Sequence, residues 1–303
     1  MSRIHLRRSV LSVPANRERM VQKSLGLPAD EIMLDLEDSV PVQDKETARQ
    51  AAIACVQEVD FGPRVCACRI NDMQTPFAYR DIIDLVEQAG DSIDVLVVPK
   101  VNDPAHITAI DLLLTQIESR MDISRPIGLE ACIESAEGLS KVEAIAASSD
   151  RLQSLVFGVA DFTASLGAPG KGVSGHGEGE SGSNRWSGVL VRLAVAAKAH
   201  ALQVIDAPYG DHTDAEGLQV SCRGSADLGF DGKWAIHPSQ IETINALFIP
   251  DQQEVERARR VLAAYDQASS GHSGTLALEG KMVDAASVRL ARSMVEKWEQ
   301  IYG

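Results

Sequence analysis

Eight short apolar runs, many of them rich in β-branched residues, alternate with stretches of helical periodicity, and that rhythm leaves a chain of 303 residues few folds to choose from. The runs are Ser9 to Val13, Glu31 to Leu36, Arg64 to Ile70, Val95 to Val98, Pro126 to Cys132, Ser154 to Phe157, Gln203 to Ile205 and Lys233 to Ile236. Strands this short and this apolar are buried on both faces, as in parallel sheets, whose strands need a crossover helix to join them. The intervening segments supply the helices, over Asp44 to Val56, Pro76 to Gln88, Pro104 to Ser119, Gly138 to Ala147, Gly188 to His200, Asp214 to Leu228 and Pro238 to Leu247. Several of these open on Asp or Pro, which suit the unpaired N–H groups of a first helical turn. Eight βα units predict an α/β fold, a (β/α)8 TIM barrel, with an open doubly wound sheet as the structural alternative.

Such a barrel takes roughly 250 residues, so the chain is expected to divide into a catalytic barrel over 1–249 and a C-terminal helical extension over 250–303. In the extension, Asp251 to Gln267 reads as an amphipathic helix, Ser269 to Gly274 as a glycine-containing hinge, and Gly280 to Tyr302 as a second helix. Pro169 to Gly188 interrupts the barrel with seven glycines among Ser, Glu and His, a composition expected of a mobile flap over the mouth. Within it, Gly170-Lys171-Gly172-Val173-Ser174-Gly175 matches G-x-G-x-x-G. It begins well beyond its strand and opens no helix, so it is not a nucleotide cradle.

Three acidic motifs stand where predicted strands run out: Leu36-Glu37-Asp38, Ile133-Glu134-Ser135 and Val159-Ala160-Asp161. The C-terminal strand ends of a barrel converge on one face, and carboxylates gathered there suit a divalent ion and a small acid, the arrangement of an enzyme. The formal charge of −14 argues against nucleic acid or an anionic membrane as partner, because either is bound through a basic face. Residues 1–25 reverse the trend, with Arg3, Arg7, Arg8, Arg17, Arg19 and Lys23 against Glu18 alone; the patch reads either as a phosphate contact or as a solvated terminus. Five cysteines without CxxC spacing support neither a zinc site nor a disulfide framework. The segment MSRIHLRRSV lacks the apolar core of a signal peptide and no run approaches 18 apolar residues, which points to the cytoplasm.

The segments RRSVLSVPAN (7–16), LDLEDSVP (34–41), RIND (69–72), VVPKV (97–101), IESAEG (133–138), FGVADFTASLG (157–167), IDAPYGD (205–211), GKWAIHPSQI (232–241) and EGKMVDAAS (279–287) occur in this order across almost the whole chain. Together they resemble the CoA-ester lyase branch of the HpcH/HpaI aldolase, or citrate lyase β-subunit, family. Residues 75–90 and 233–241 are most similar to malyl-CoA/β-methylmalyl-CoA lyases. The resemblance implies a Mg2+-dependent barrel, with Mn2+ as a substitute, that cleaves or forms a 3-hydroxyacyl-CoA such as malyl-CoA, β-methylmalyl-CoA or citramalyl-CoA. The products are an acyl-CoA and a 2-oxo acid, glyoxylate or pyruvate. Two other outcomes stay open: a malyl-CoA thioesterase of the same fold, and a citrate lyase β-subunit acting only with an acyl carrier protein.

Cleavage of a carbon–carbon bond beside a hydroxyl leaves a thioester enolate and a 2-oxo acid, and both developing charges need compensation. Glu134 and Asp161 form the expected metal pair, since Mg2+ takes few protein carboxylates and keeps positions for water and substrate. Glu37 and Asp38 would orient metal-bound waters. Arg69 ends the third strand, where its two parallel donors suit a carboxylate or an enolate oxygen; the resemblance makes it the substrate arginine. The resemblance also makes Asp284, in Gly280-Lys281-Met282-Val283-Asp284, the base at the CoA methyl carbon, supplied to a neighbouring subunit in a homotrimer or hexamer. From its residues alone, Asp284 reads as the N-cap of the last helix. Arg8, Arg17 and Lys23 are the candidates for the CoA phosphates. His237 reads as a ligand or acid, or as a hydrogen-bonded structural imidazole; Trp234 and Tyr209 read as pocket walls or as packing. The segment with only Trp186 departs from the longer, tryptophan-richer one of malyl-CoA lyases, which leaves the acyl chain open.

Overall fold

Side chains along each strand alternate between two buried environments, and that alternation organises the molecule. The computed structural model describes residues 5–168, 185–269, 276–278 and 281–302. Strands β1 (Ser9–Pro14), β2 (Glu31–Asp35), β3 (Val65–Arg69), β4 (Val95–Val98), β5 (Gly128–Ile133), β6 (Leu152–Phe157), β7 (Gln203–Asp206) and β8 (Gly232–Ala235) pair in sequence order, all parallel, and β8 closes on β1. The sheet is a closed barrel, and the doubly wound alternative is excluded.

One set of residues fills the barrel, among them Val10, Met33, Ala67, Val97, Val156 and Trp234. The other, including Leu11, Leu34, Cys68, Val98 and Leu155, packs outward against the helices. The period of two has a chemical consequence on β2. Glu31, Met33 and Asp35 all face inward, so one acid lies at the N-terminal end of the barrel and another at its mouth, in register with Val65 and Arg69 respectively. At the N-terminal end Glu31 meets the guanidinium of Arg7 at 2.9 Å, and Glu130 meets it at 2.6 Å. Gln153 and Gln203 accept from the same group at 2.5 Å. A charge buried this deeply persists because its donors are taken by acids and amides on all sides.

The α-helices among the described residues of the barrel are α1 (Glu18–Ser24), α2 (Lys45–Glu58), α3 (Ala78–Ala89), α4 (Pro104–Met121), α5 (Ala136–Ser140), α6 (Val142–Ala146), α7 (Val159–Ser165), α8 (Ser187–Ala199), α9 (Ala215–Asp227) and α10 (Ile241–Leu247). Capping side chains fix where several begin: Asp103 accepts from Ala105 N–H at 2.9 Å with Pro104 next in line, and Asp214 accepts from Gly217 N–H at 2.9 Å. The single helix expected over 138–147 is instead two, because Lys141 leaves helical geometry at φ −114° and ψ 12°. Ser135 caps the first of them and moves its start to Ala136.

The chain divides into two compact units between Phe248 and Ile249. In the second, α11 (Gln252–Ser269) and α12 (Ala285–Tyr302) join through Val255, Ala258, Ala291 and Val295, spaced as one face of each helix requires. Between them, β9 (Leu276–Leu278) and β10 (Lys281–Val283) form an antiparallel hairpin. This corrects the expectation of helix from Gly280 onward: Lys281 to Val283 is strand, and the helix starts at Ala285. Most of the expected hinge, 270–274, and of the expected flap, 169–184, lies outside the described residues; Ser187 and Gly188 already belong to α8.

Candidate active site

Asp35 and Arg69 end adjacent strands on the inward face, so their side chains meet across one rung of the sheet. Arg69 donates from Nε and Nη2 to the two oxygens of Asp35 at 2.7 Å each, a bidentate fork inside the barrel. Its Nη1 also lies 3.3 Å from Glu37 Oε2. Two of its five donor hydrogens are thereby committed to Asp35. Trp234 of β8 presents its ring to the guanidinium at 5.4 Å and limits how the arginine can swing. Burial works to raise the Asp35 carboxyl, but the charge and hydrogen bonds of Arg69 outweigh it and hold the group down at about 2. Asp35 also accepts from the backbone N–H of Glu37 and of Ser39, which folds the LED segment back over the strand end.

Glu37 is buried there, whereas Asp38 is mostly exposed. Lys45, at the start of α2, donates to the carbonyls of Leu36 and Glu37 at 2.8 and 2.7 Å and pins the same turn. Glu134 follows β5 and Asp161 lies in the first turn of α7, after β6. Gly158, between β6 and α7, has to be glycine: a Cβ there would collide with the Cβ and Oε2 of Glu134. Lys100, two residues beyond β4, draws the acids together. Its backbone N–H donates to Glu134 Oε1 at 2.6 Å, and its ammonium donates to Glu37 and, at 3.2 Å, to Asp38, while lying 3.9 Å from Asp161.

The residues here fit a divalent ion. Asp35, Glu37, Asp38, Glu134 and Asp161 face Arg69, Lys100 and Lys45, five acids against three cations. Burial pushes the Glu134 carboxyl up to about 7, the charges of Glu37 and Asp161 push the same way, and Arg69 and the Lys100 N–H only partly offset them. A dication beside Glu134 would relieve that penalty, and hard carboxylate oxygens are the donors Mg2+ prefers. Among the described residues no group of three or more His, Cys, Asp or Glu forms a cage. A pair of carboxylates leaves positions for waters and substrate oxygens, as Mg2+ requires.

The structure thus brings Glu37, Asp38, Arg69, Glu134 and Asp161 together, and adds Asp35 and Lys100, which sequence reasoning did not single out. The signal for Asp35 was its period-two spacing from Glu31 and Met33; that for Lys100 was its place after a strand in the VVPKV segment. The phosphate candidates separate. Arg8, a candidate for the CoA phosphates, precedes β1, at the end of the barrel opposite the mouth, and is forked onto Asp30 at 2.7 Å. Arg17 opens α1 just beyond the C-terminal end of β1, and Lys23 stands in its last turn, both exposed. His237 takes the structural role: its Nδ1 accepts from the Ser239 N–H and caps the turn at Pro238 to Gln240. Tyr209 donates to Asp214, the cap of α9. Asp284 belongs to the second unit, where its Oδ1 accepts from the N–H and hydroxyl of Ser287 at 2.8 and 2.9 Å and caps α12. That backbone hydrogen bond, followed by the hydroxyl, holds its carboxyl below the ordinary value.

Two cavities, of about 670 and about 200 Å3, open on the other end of the barrel, around Arg125 and Arg151 and around Arg7 and Gln203. Their arginines are held by acids, Arg125 by Asp94 and Arg151 by Asp111 and Glu118. In barrels of this kind the strand C-termini carry the chemistry, because their loops can vary without disturbing the core.

Comparison with known proteins finds relatives along almost the whole chain. The HpcH/HpaI aldolase/citrate lyase family model matches residues 8–238. An L-malyl-CoA/β-methylmalyl-CoA lyase of Cereibacter sphaeroides is 40% identical over 296 residues, covering 95% of this chain and 93% of its own. A (3S)-malyl-CoA thioesterase of the same species is 34% identical over 297 residues, covering 98% and 96%. Among solved structures, protein CitE from Mycobacterium tuberculosis in complex with magnesium, acetoacetate and coenzyme A is 29% identical, with a TM-score of 0.74 over 96% of this chain and 97% of that one.

Proposed function

From the premise that the chain belongs to the HpcH/HpaI aldolase/citrate lyase family, we propose that it is a Mg2+-dependent carbon–carbon lyase that cleaves or condenses a 3-hydroxyacyl-CoA, with malyl-CoA or β-methylmalyl-CoA as substrate. The observation that carries this is the gathering of Glu37, Asp38, Glu134 and Asp161 around Lys100 beside an arginine that Asp35 holds rigid. An arginine fixed by a fork keeps its remaining donors aimed without reorganisation during reaction, which is where such donors contribute most. The higher identity to the lyase than to the thioesterase favours bond cleavage over hydrolysis.

In this reading Glu134 and Asp161 hold the ion, and Glu37 and Asp38 orient its waters. When bound, the metal supplies positive charge opposite the oxygens of the 2-oxo acid. Arg69 faces the thioester oxygen and stabilises it as it becomes an enolate. Asp284 takes a proton from the α-carbon of the acyl-CoA in the condensing direction and returns it in cleavage. Its carboxylate is ionised at neutral pH, the form that accepts a proton, although the Ser287 hydrogen bonds that lower its pKa also weaken it as a base. We further read the C-terminal unit as a lid that completes a neighbouring subunit's site, in a trimer or a dimer of trimers, with Arg17 and Lys23 available to the CoA phosphates. Five free thiols and the absence, among the described residues, of any helix long and apolar enough to cross a membrane suit a cytoplasmic enzyme.

The test is product identification with malyl-CoA, with and without Mg2+. Glyoxylate and acetyl-CoA formed only with the metal are expected. Malate and free CoA without glyoxylate would instead establish a thioesterase, and inactivity on free CoA esters would point to a carrier-protein complex.

A further inference from the structure

Three non-glycine residues among those described have φ in the left-handed region: Lys100 at 50°, Asp122 at 57° and Ala201 at 57°. Asp122 closes α4 and Ala201 follows α8, places where a left-handed residue ends a helix. Lys100 ends no helix. A lysine held in this region persists only where its surroundings over-determine it. What the conformation achieves is to turn two donors of one residue onto acids from different strands. The backbone N–H reaches Glu134 Oε1 at 2.6 Å, and the ammonium reaches Glu37 and, at 3.2 Å, Asp38, with Asp161 at 3.9 Å. Acids following β2, β5 and β6 therefore converge on a residue following β4.

We infer that Lys100 is a positioning residue that keeps these carboxylates at the spacing a divalent ion needs, an inference that rests on the metal reading above. Like charges crowded at a barrel mouth move apart unless a shared donor holds them. The obvious rival is a simple counter-ion, and the two differ in sign. A nearby cation repels a dication, so removing a mere counter-ion tightens metal binding, whereas removing the hub that orients the ligands weakens it.

The experiment titrates full-length protein with Mn2+ alone, by calorimetry and by the electron paramagnetic resonance of the free ion, with no CoA ester present. Lys100→Met keeps the backbone donor and loses the ammonium; it should weaken Mn2+ binding about tenfold or more, the range in which groups that orient metal ligands act. Lys100→Gly removes the same group while relieving the left-handed backbone, so it should fold at least as well, and n-butylammonium should restore part of its Mn2+ affinity. Lys100→Arg should retain more affinity than Lys100→Met. Thermal unfolding followed by circular dichroism verifies the fold of each. Glu134→Gln is the reference: if it binds Mn2+ like the parent, the metal reading itself falls. If Glu134→Gln loses Mn2+ while folded Lys100→Met and Lys100→Gly bind it as tightly as the parent or more tightly, Lys100 is only a counter-ion and the inference is overturned.

Discussion

Asp35 is the residue that holds Arg69 in place, and its energetics are measurable apart from turnover. Its carboxyl stands at about 2 in the folded chain against an ordinary value of 3.8, because the attraction of Arg69 outweighs burial. A lowered carboxyl contributes stability that is present above the unfolded value and lost as pH falls through the folded one. The shift corresponds to about 2 kcal/mol. The urea-unfolding free-energy gap between the parent and Asp35→Asn should therefore shrink by about that amount between roughly pH 5 and pH 2. A gap that does not change with pH would remove the ion pair from the account. Arg69→Lys tests the same fork from the other side, since an ammonium cannot satisfy both oxygens of Asp35 and still face the thioester. It should cost on the order of 100-fold in kcat/KM, about 3 kcal/mol. A loss under about fivefold would reduce Arg69 to a rim residue.

Elements follow the sequence closely where burial on both faces constrains them, and less closely where it does not. All eight strands occur within two residues of their expected bounds because each is largely buried on both faces and cannot slide without exchanging the two sets of side chains. The three-residue β9 and β10 are too short for any period to register, and Lys281 to Val283 read as helix for that reason. At the start of α12 Asp284 is the helix cap and the proposed base, and the two roles separate by substitution. Asp284→Ala removes both cap and carboxylate and should lose about 1 kcal/mol of stability along with activity. Asp284→Ser keeps a good capping oxygen, so it should unfold like the parent in thermal denaturation yet remain inactive. An active serine variant would leave Asp284 as the cap alone.

At the scale of the whole molecule, the division at Phe248/Ile249 raises whether one chain makes a complete site. If the second unit serves a neighbour, mixing inactive Asp284→Ala with inactive Glu134→Gln under subunit exchange should restore part of the activity, because some sites then combine two intact contributions. No recovery despite verified exchange, or a fully active monomer by light scattering, would defeat the shared site. The sequence by itself determined an α/β fold of eight βα units and placed Glu37, Glu134 and Asp161 just beyond strand ends, while closure into a barrel rather than an open doubly wound sheet was decided by β8 pairing with β1. The family was legible too, in motifs spread along the chain. Tertiary structure alone decided the partnerships. Arg8 precedes β1 and is paired with Asp30, the arginine of the mouth is forked onto an aspartate 34 residues away, and Lys100 gathers acids from three other strand ends. Such contacts depend on strand register, on the parity that turns a side chain inward, and on one left-handed backbone angle. These are properties of chain segments brought together in space, and no local pattern of residues encodes them.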